Sequence, residues 1–218
     1  MSEKALRYIC QEFKNFSTVI EVLLDSNHLR VLLEAIYVYD KVTFEHSVQV
    51  AKLMYRFASI LAYNDTEIAR LVLTGLLHDV GKCCIPKYIL CSNSALSQSA
   101  RKLIQNHPIY SGMLIAYRWD SVLAKTATQH HEQLDGSGYP LGINENLIMK
   151  GSSILSMCDV YQALRQKRPY KVAYSPELAY KILAETFSEN FLLSRFHYIV
   201  CEDSLEENKE KKEEILLC

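Results

Sequence analysis

The sequence predicts an all-α protein, a bundle of helices without a β-sheet. Apolar residues recur every three to four positions through most of the 218 residues, which is the period of an amphipathic helix. Residues that cap helices stand at the starts of several of these segments. No run of alternating apolar and polar residues is long enough to predict a strand. These observations favour helices packed around one core.

The N-terminal half contains four predicted helical segments. Asn64, followed three residues later by Glu67, is a capping box that opens the fourth of them. Gly81 stands just beyond its end, where a glycine commonly stops a helix. The predicted helices cover residues 5–24, 28–39, 43–61 and 64–77.

The C-terminal half continues the pattern around one turn-rich loop over residues 133–149. Ser97 can cap a helix that runs to about Asn106, and Pro108 can open the next. Ser175 followed by Pro176 is a further helix start. Helices are also predicted over 121–132, from the end of the loop to about Leu164, and as a solvated end in the charged segment 202–214.

Composition limits the kinds of partner. The net charge is −1, so no global basic field is present and a polynucleotide is not expected as the main partner. The seven cysteines include no CxxC pair, which indicates free thiols in a reducing compartment. The first residues lack the apolar stretch of a secretion signal, and no apolar run is long enough to span a bilayer. We therefore expect a cytoplasmic protein with no membrane contact.

Five histidines and two aspartates share an unusual setting on the predicted helices. One histidine lies on an apolar stripe, others stand in adjacent pairs at helix ends, and one aspartate interrupts an apolar helix, where an unpaired carboxylate is costly. Imidazoles and carboxylates without a thiolate suit iron, manganese, zinc or nickel. The alternative is a set of buried hydrogen bonds without a metal. The residues are His46, His78, Asp79, His107, His130, His131 and Asp159.

Two motifs carry a resemblance to a known family. They are LLHDVGK at 76–82 and HHEQLDGSGYP at 130–140, with DVYQAL and RPYK downstream within 159–171. In these motifs the chain resembles an HD-GYP domain, a subfamily of the HD phosphohydrolases that hydrolyses cyclic di-GMP in bacteria. The resemblance covers about residues 40–187 and implies an HD-domain bundle of about seven or more helices. It suggests three parts: N-terminal helices over 1–40 that pack on the core or dimerise, a catalytic domain over 41–201, and a charged tail over 202–218.

The resemblance also implies two divalent metal ions, iron as the first expectation and manganese as the alternative. Asp79 would bridge them, and a water or hydroxide between the metals would be the nucleophile, as in two-metal hydrolysis. One metal would be held by His46, His78, Asp79 and Asp159, and the second by Asp79, His107, His130 and His131.

Further roles follow from matching positions of the family. Lys82 would offset charge on the reacting phosphate, and Arg168 and Lys171 would contact the second phosphate of a cyclic dinucleotide. Tyr139 could stack on a guanine or hydrogen-bond a phosphate. The residues expected to shape the loop or orient a ligand histidine are Glu132, Asp135, Gly136, Gly138 and Pro140.

Three positions depart from the family pattern. Val42 stands where some members have a glutamate that helps to hold a third metal, so a two-metal site is expected. Ser153 replaces a common arginine and Gln162 replaces an aspartate, and neither change removes a predicted metal ligand. Both changes bear on loop stability and on substrate positioning.

Three functional hypotheses remain at this point. The first is a phosphodiesterase that opens cyclic di-GMP to linear pGpG, and further to GMP. The second is a module that senses cyclic di-GMP, or binds GGDEF-domain diguanylate cyclases through the GYP loop, without turnover. The third is an HD hydrolase acting on mononucleotides or another cyclic dinucleotide. For the N-terminal helices, packing on the bundle and formation of a homodimer interface are both open alternatives.

Overall fold

The computed structural model describes residues 3–13, 26–92, 94–166, 172–187 and 192–216, and every regular element among them is helical. The all-α prediction is therefore confirmed. The early helices are α1 (Glu3–Glu12), α2 (Asn27–Tyr39), α3 (Lys41–Ile60), α4 (Asp65–Leu77), a 3-10 helix (Val80–Cys84), α5 (Lys87–Leu90) and α6 (Gln98–Ile104). The later ones are α7 (His107–Ala116), α8 (Ser121–Thr128), α9 (Lys150–Arg165), α10 (Pro176–Thr186) and α11 (Leu193–Leu216).

Helix α3 is the central element of the bundle. It packs against α2, α4, α9 and α11, so it is buried along most of its length. Phe44 and Val48 face a core shared with α2 and α4, while Phe57 contacts Phe196 of α11 in a second core. Burial of such large apolar side chains is the main stabilising contribution. The central helix is thus a rigid support for any polar side chain that it carries.

Helix starts follow the predicted capping chemistry. The Asn64 side chain accepts from the Glu67 N–H and the Glu67 carboxylate accepts from the Asn64 N–H, so the capping box is confirmed. Ser97 and Ser175 also accept backbone N–H groups at the starts of α6 and α10. The predicted helix over 121–132 ends earlier, at Thr128, and its last residues form a turn.

The prediction that Gly81 stops a helix is wrong. Helix α4 ends at Leu77, and Gly81 lies inside the following 3-10 helix. A Cβ at this position would lie 2.2 Å from the His107 carbonyl oxygen and 2.5 Å from the Ser111 N. Glycine is required because the 3-10 helix packs directly on the start of α7, where the Gly81 N–H donates to the Ser111 hydroxyl at 2.8 Å.

We expect Gly81→Ala to lower the free energy of unfolding by about 2 kcal/mol, because a rigid backbone must move to admit the methyl group. Chemical denaturation of both proteins measures the difference. Gly142→Ala is a control of another kind, since Gly142 has a φ of 64° but a Cβ there would meet only an ordinary contact, 3.6 Å from the Gly136 carbonyl oxygen. A Gly81→Ala protein as stable as the parent would contradict the close approach.

The charged C-terminal segment belongs to α11 and is tied to the bundle. The Asp203 carboxylate accepts from Arg56 at 2.7 Å and from the Tyr161 hydroxyl at 2.8 Å, and Arg165 pairs with Glu207. These contacts link α11 to α3 and α9. The division into a catalytic domain and a separate tail stays a prediction.

Two other expectations concern chemistry outside the core. All six cysteines among the described residues are free thiols, as predicted from their spacing. Among the residues searched, none of the helices has both the length and the apolar character needed to cross a lipid bilayer.

Candidate metal centre

Five helices or helix ends bring the seven predicted ligand residues to one place. His46 lies in the second turn of α3, and Asp159 lies within α9 beside it. His78 and Asp79 follow the end of α4, His107 begins α7, and His130 with His131 follows α8. The chain turns where α4 and α8 end and where α7 begins, and the side chains at these turns converge on one point. Helices α3 and α9 pack against each other and contribute His46 and Asp159 to the same place.

The Asp79 carboxylate lies between two groups of histidines. Its Oδ1 is 3.0 Å from His107 Nε2 and 4.0 Å from His130 Nε2. Its Oδ2 is 3.4 Å from His78 Nε2. The carboxylate therefore presents one oxygen to each group, which is the arrangement that a bridging ligand needs.

Three of the histidines are held by the same backbone contact. The Nδ1 atoms of His78, His107 and His130 lie 2.7, 2.7 and 2.6 Å from the carbonyl oxygen of the residue three positions earlier. A carbonyl only accepts, so each Nδ1 carries the ring proton. Each Nε2 then presents a bare lone pair to the centre of the cluster, as a metal-binding histidine must.

These lone pairs converge without a proton between them. His107 Nε2 lies 3.4 Å from His130 Nε2 and 3.0 Å from Asp79 Oδ1, so acceptor faces acceptor. His78 Nε2 and Asp79 Oδ1 are buried and have no hydrogen-bond partner among the described residues. Such an arrangement is repulsive unless a cation lies between the atoms. The donor set therefore fits metal ions better than a purely hydrogen-bonded cluster.

Ligand atoms within 4.8 Å of one another form three overlapping groups. They are His46, His78 and Asp79; His78, His130 and Asp159; and His107, His130 and His131. His46 Nε2 also contacts Asp159 Oδ1 at 2.7 Å. The histidine and carboxylate donors are those that iron and manganese accept.

For four of the ligands, burial and neighbouring charges favour the protonation state that binds metal, whereas the Asp79 carboxylate raises the pKa of His78 against the effect of burial. Burial lowers the pKa of His130 well below its usual value and that of His131 to about 4, so both rings are neutral near pH 7. Burial alone would raise the pKa of Asp79, but the charge of Lys82 and the contacts with His78 and His107 together outweigh it, and the pKa is well below the usual value. Asp159 behaves likewise because of His46.

Lys82 and Tyr139 form part of the wall of the centre. Lys82 Nζ lies 2.5 Å from Asp79 Oδ2, and the Lys82 side chain is 22% exposed, so it borders both the carboxylate and the surface of the protein. The ring of Tyr139 stacks on that of His131 with a centroid distance of 4.7 Å. Burial raises the pKa of Tyr139, so its hydroxyl keeps its proton.

The loop that carries Tyr139 is closed by Glu132. The buried carboxylate accepts from the Leu141 N–H at 2.6 Å and the Ile143 N–H at 3.2 Å. A Cβ at Gly138 would lie 2.4 Å from the Gln133 N, so only glycine allows the loop to fold back on itself. Gly136 has a φ of 79°, the Asp135 carboxylate accepts from the Ser137 N–H, and the Tyr139–Pro140 peptide bond is cis.

One positioning residue was not found from the sequence. Gln129 is buried; its amide nitrogen donates to the Leu147 carbonyl at 3.2 Å, and its oxygen accepts from the Met149 N–H at 3.0 Å and the Ser152 hydroxyl at 3.1 Å. It ties the end of α8 to the start of α9. The sequence signal for this role was that a polar residue stands directly before the two predicted ligands His130 and His131.

We expect Gln129→Leu to lower the free energy of unfolding by about 2 kcal/mol, because the Leu147 carbonyl, the Met149 N–H and the buried Ser152 hydroxyl all lose their partner. Thermal or chemical unfolding measures the effect. Gln133→Leu in the adjoining loop is the matched control, and an equal loss in both would argue against the special role of Gln129.

The other predicted residues lie away from the metal centre or outside the described residues. Arg168 and Lys171 are outside the described residues. Val42 is 62% exposed on the first turn of α3. Ser153 lines a cavity behind the loop, and Gln162 lines a polar groove beside α11.

Comparison with known proteins agrees with the motifs. The family model described as HD domain matches residues 30–190, most of the chain. The chain belongs to the HD domain family. Its HD domain is 37% identical over 163 residues to the 3'3'-cGAMP-specific phosphodiesterase 1 of Vibrio cholerae, which covers 74% of this chain and 38% of the relative.

Two further matches are a second curated relative and a solved structure. The cyclic di-GMP phosphodiesterase PA4108 of Pseudomonas aeruginosa is 36% identical over 148 residues, 67% of this chain and 36% of the relative. The chain thus spans well under half the length of either curated relative. The structure of the HDG"Y"P protein Bd1817 from Bdellovibrio bacteriovorus superposes with a TM-score of 0.61 over 90% of this chain and 60% of that one. At 21% identity that likeness shows the fold of the HD domain alone.

Proposed function

We propose that this HD domain is a metal-dependent phosphodiesterase that hydrolyses a cyclic dinucleotide. The observation that carries the proposal is the Asp79 carboxylate, which presents one oxygen to each of two histidine groups whose bare Nε2 atoms converge. A purely sensory pocket does not need this cluster of unpaired donors. The names of the curated relatives add support, since both are cyclic dinucleotide phosphodiesterases.

Two ions would be held by the residues already described. His46, His78, Asp79 and Asp159 would hold one, and Asp79, His107, His130 and His131 the other. When bound, such ions activate a water for attack and neutralise the phosphate oxygens. We propose iron as the metal, with manganese as the alternative, because imidazole and carboxylate donors suit both.

The chain's own residues supply binding and position. Lys82 would move from Asp79 toward the phosphate and offset its charge. Tyr139, held over His131, would pack on a base or donate its hydroxyl proton to a phosphate oxygen. Arg168 and Lys171 remain proposed contacts to the second phosphate.

We propose cyclic di-GMP as the substrate, with pGpG as first product and GMP as a second. A second candidate is 3'3'-cGAMP, because a relative that is 37% identical is named for it. The exposed side of the loop, with Leu141 55% exposed, is the proposed contact for GGDEF domains. Exposed valines on α2, Val31 and Val38, support the proposed homodimer.

The test is an assay on metal-replete protein. The chain is loaded anaerobically with iron(II) or manganese(II), each cyclic dinucleotide is added, and products are separated by chromatography. We expect linear pGpG from cyclic di-GMP. Absence of product from protein that contains both metals and binds the dinucleotide would overturn the enzyme and leave the sensor. Faster cleavage of 3'3'-cGAMP would reassign the substrate within the same chemistry.

A further inference from the structure

A polar cavity borders the loop that carries His130, His131 and Tyr139, and Glu132 is among its lining residues. Its volume is about 220 Å³. One wall is the loop, with Glu132 and Asp135, and the opposite wall is α9, with Ser153 and Ser156. None of these four residues is among the metal ligands proposed above.

The loop wall carries negative charge without a matching cation. Glu132 accepts only two backbone N–H groups, and Asp135 accepts from the Ser137 N–H and hydroxyl. Within the described part of the chain, neither carboxylate forms an ion pair with a lysine or arginine. A buried carboxylate keeps acceptor capacity beyond two hydrogen bonds, since its oxygens have about four lone-pair directions.

The helix wall adds an independent sign of a ligand. Ser156 is 7% exposed and lines the cavity, yet within the described residues its hydroxyl makes no hydrogen bond. Ser153 lines the same wall, and its hydroxyl is also without a partner there. Buried hydroxyls are normally satisfied, often by the carbonyl one turn earlier, so an unpartnered one that borders a cavity indicates a missing group.

We propose that this cavity is a binding site for a small guanidinium compound. All four polar groups can accept, two of them are anionic, and they stand on opposite walls. A guanidinium offers five N–H donors in a planar fork and can bridge both walls. An ammonium has its three donors on one atom, and serine hydroxyls are weak ligands for a divalent metal. Leu134, Ile148 and Phe187 also line the cavity and suit an apolar stem.

The proposal is tested by calorimetric titration of the metal-loaded chain with n-butylguanidinium. Its neutral isostere, n-butylurea, has the same shape without the charge. We expect a dissociation constant of about 1 mM or lower for the cation, and binding about tenfold weaker or worse for the urea. Equal affinity for the two compounds, or no heat from the cation at 10 mM probe (roughly ten times the expected constant), would overturn the proposal.

Two variants locate the binding. Ser153→Arg places a guanidinium of the chain's own in the cavity, so we expect the added compound to lose its binding and the unliganded protein to melt at higher temperature. Ser156→Ala removes one hydroxyl without adding bulk to the cavity, with an expected loss of about threefold to tenfold in affinity. Asp79→Asn, compared with the metal-free parent, should keep the full affinity, because the metal ligands do not line this cavity. Unchanged affinity in both serine variants, or loss of binding in Asp79→Asn, would refute this location.

Discussion

Asp79→Ala is expected to abolish turnover and metal retention together. The carboxylate is 2% exposed and is the one described group whose two oxygens face both histidine groups. Its removal takes away the carboxylate that lies 3.0 Å from His107 and 4.0 Å from His130, and it leaves the Lys82 ammonium next to the vacated position. We expect turnover to fall roughly a thousandfold or more, as when a group shared by a catalytic unit is lost. Metal content, measured by elemental analysis after gel filtration, should fall well below two ions per chain.

The matched variant is Asp79→Asn, which keeps the shape and removes the charge. Asp79→Asn should also lose metal. Its circular dichroism spectrum and melting curve should lie closer to those of the parent than the spectrum and curve of Asp79→Ala do. If Asp79→Ala still binds cyclic di-GMP, the dinucleotide contacts are independent of the bridge. An Asp79→Ala protein with two ions and parental turnover would refute the bridging assignment.

The sequence was sufficient for the parts of this centre that depend on local pattern. The apolar stripe of α3 predicted that His46 faces the interior, and it is 7% exposed. Asp159 within an apolar helix indicated a buried carboxylate with a partner, and that partner is His46. Capping residues fixed most helix starts because a cap depends on residues within one turn.

Other features depend on groups far apart in the chain and could not be predicted from it. Gly81 was misassigned because the sequence does not show that the His107 carbonyl would lie against it. Asp203 contacts Arg56 and Tyr161, which lie 147 and 42 positions away in the chain. A segment whose composition is typical of a solvated helix is therefore bound to the bundle. The carbonyl contacts that fix the ring protons of three histidines depend on how each helix ends, which the motif does not encode.

Lys82→Met is expected to separate catalysis from metal binding. Lys82 Nζ contacts Asp79 Oδ2, and the Lys82 side chain is 22% exposed, so we expect it to turn toward a bound phosphate. Methionine keeps the length and apolar stem but removes the charge that would offset the phosphoryl oxygens. We expect kcat to fall about a hundredfold, the size of effect seen when one charge-stabilising donor is lost.

The metal should remain in this variant. The positive charge of Lys82 beside Asp79 opposes the binding of a cation, so the loss of that charge should not weaken metal binding. Elemental analysis at pH 8 should therefore give two ions per chain in Lys82→Met and in the parent. Lys82→Arg, which keeps the charge in a different geometry, should recover part of the lost kcat. Should Lys82→Met lose its metal along with its turnover, Lys82 would be a structural partner of Asp79 rather than a group that meets the phosphate. If kcat is unchanged, the ion pair with Asp79 is its whole role, and another cation must neutralise the phosphate.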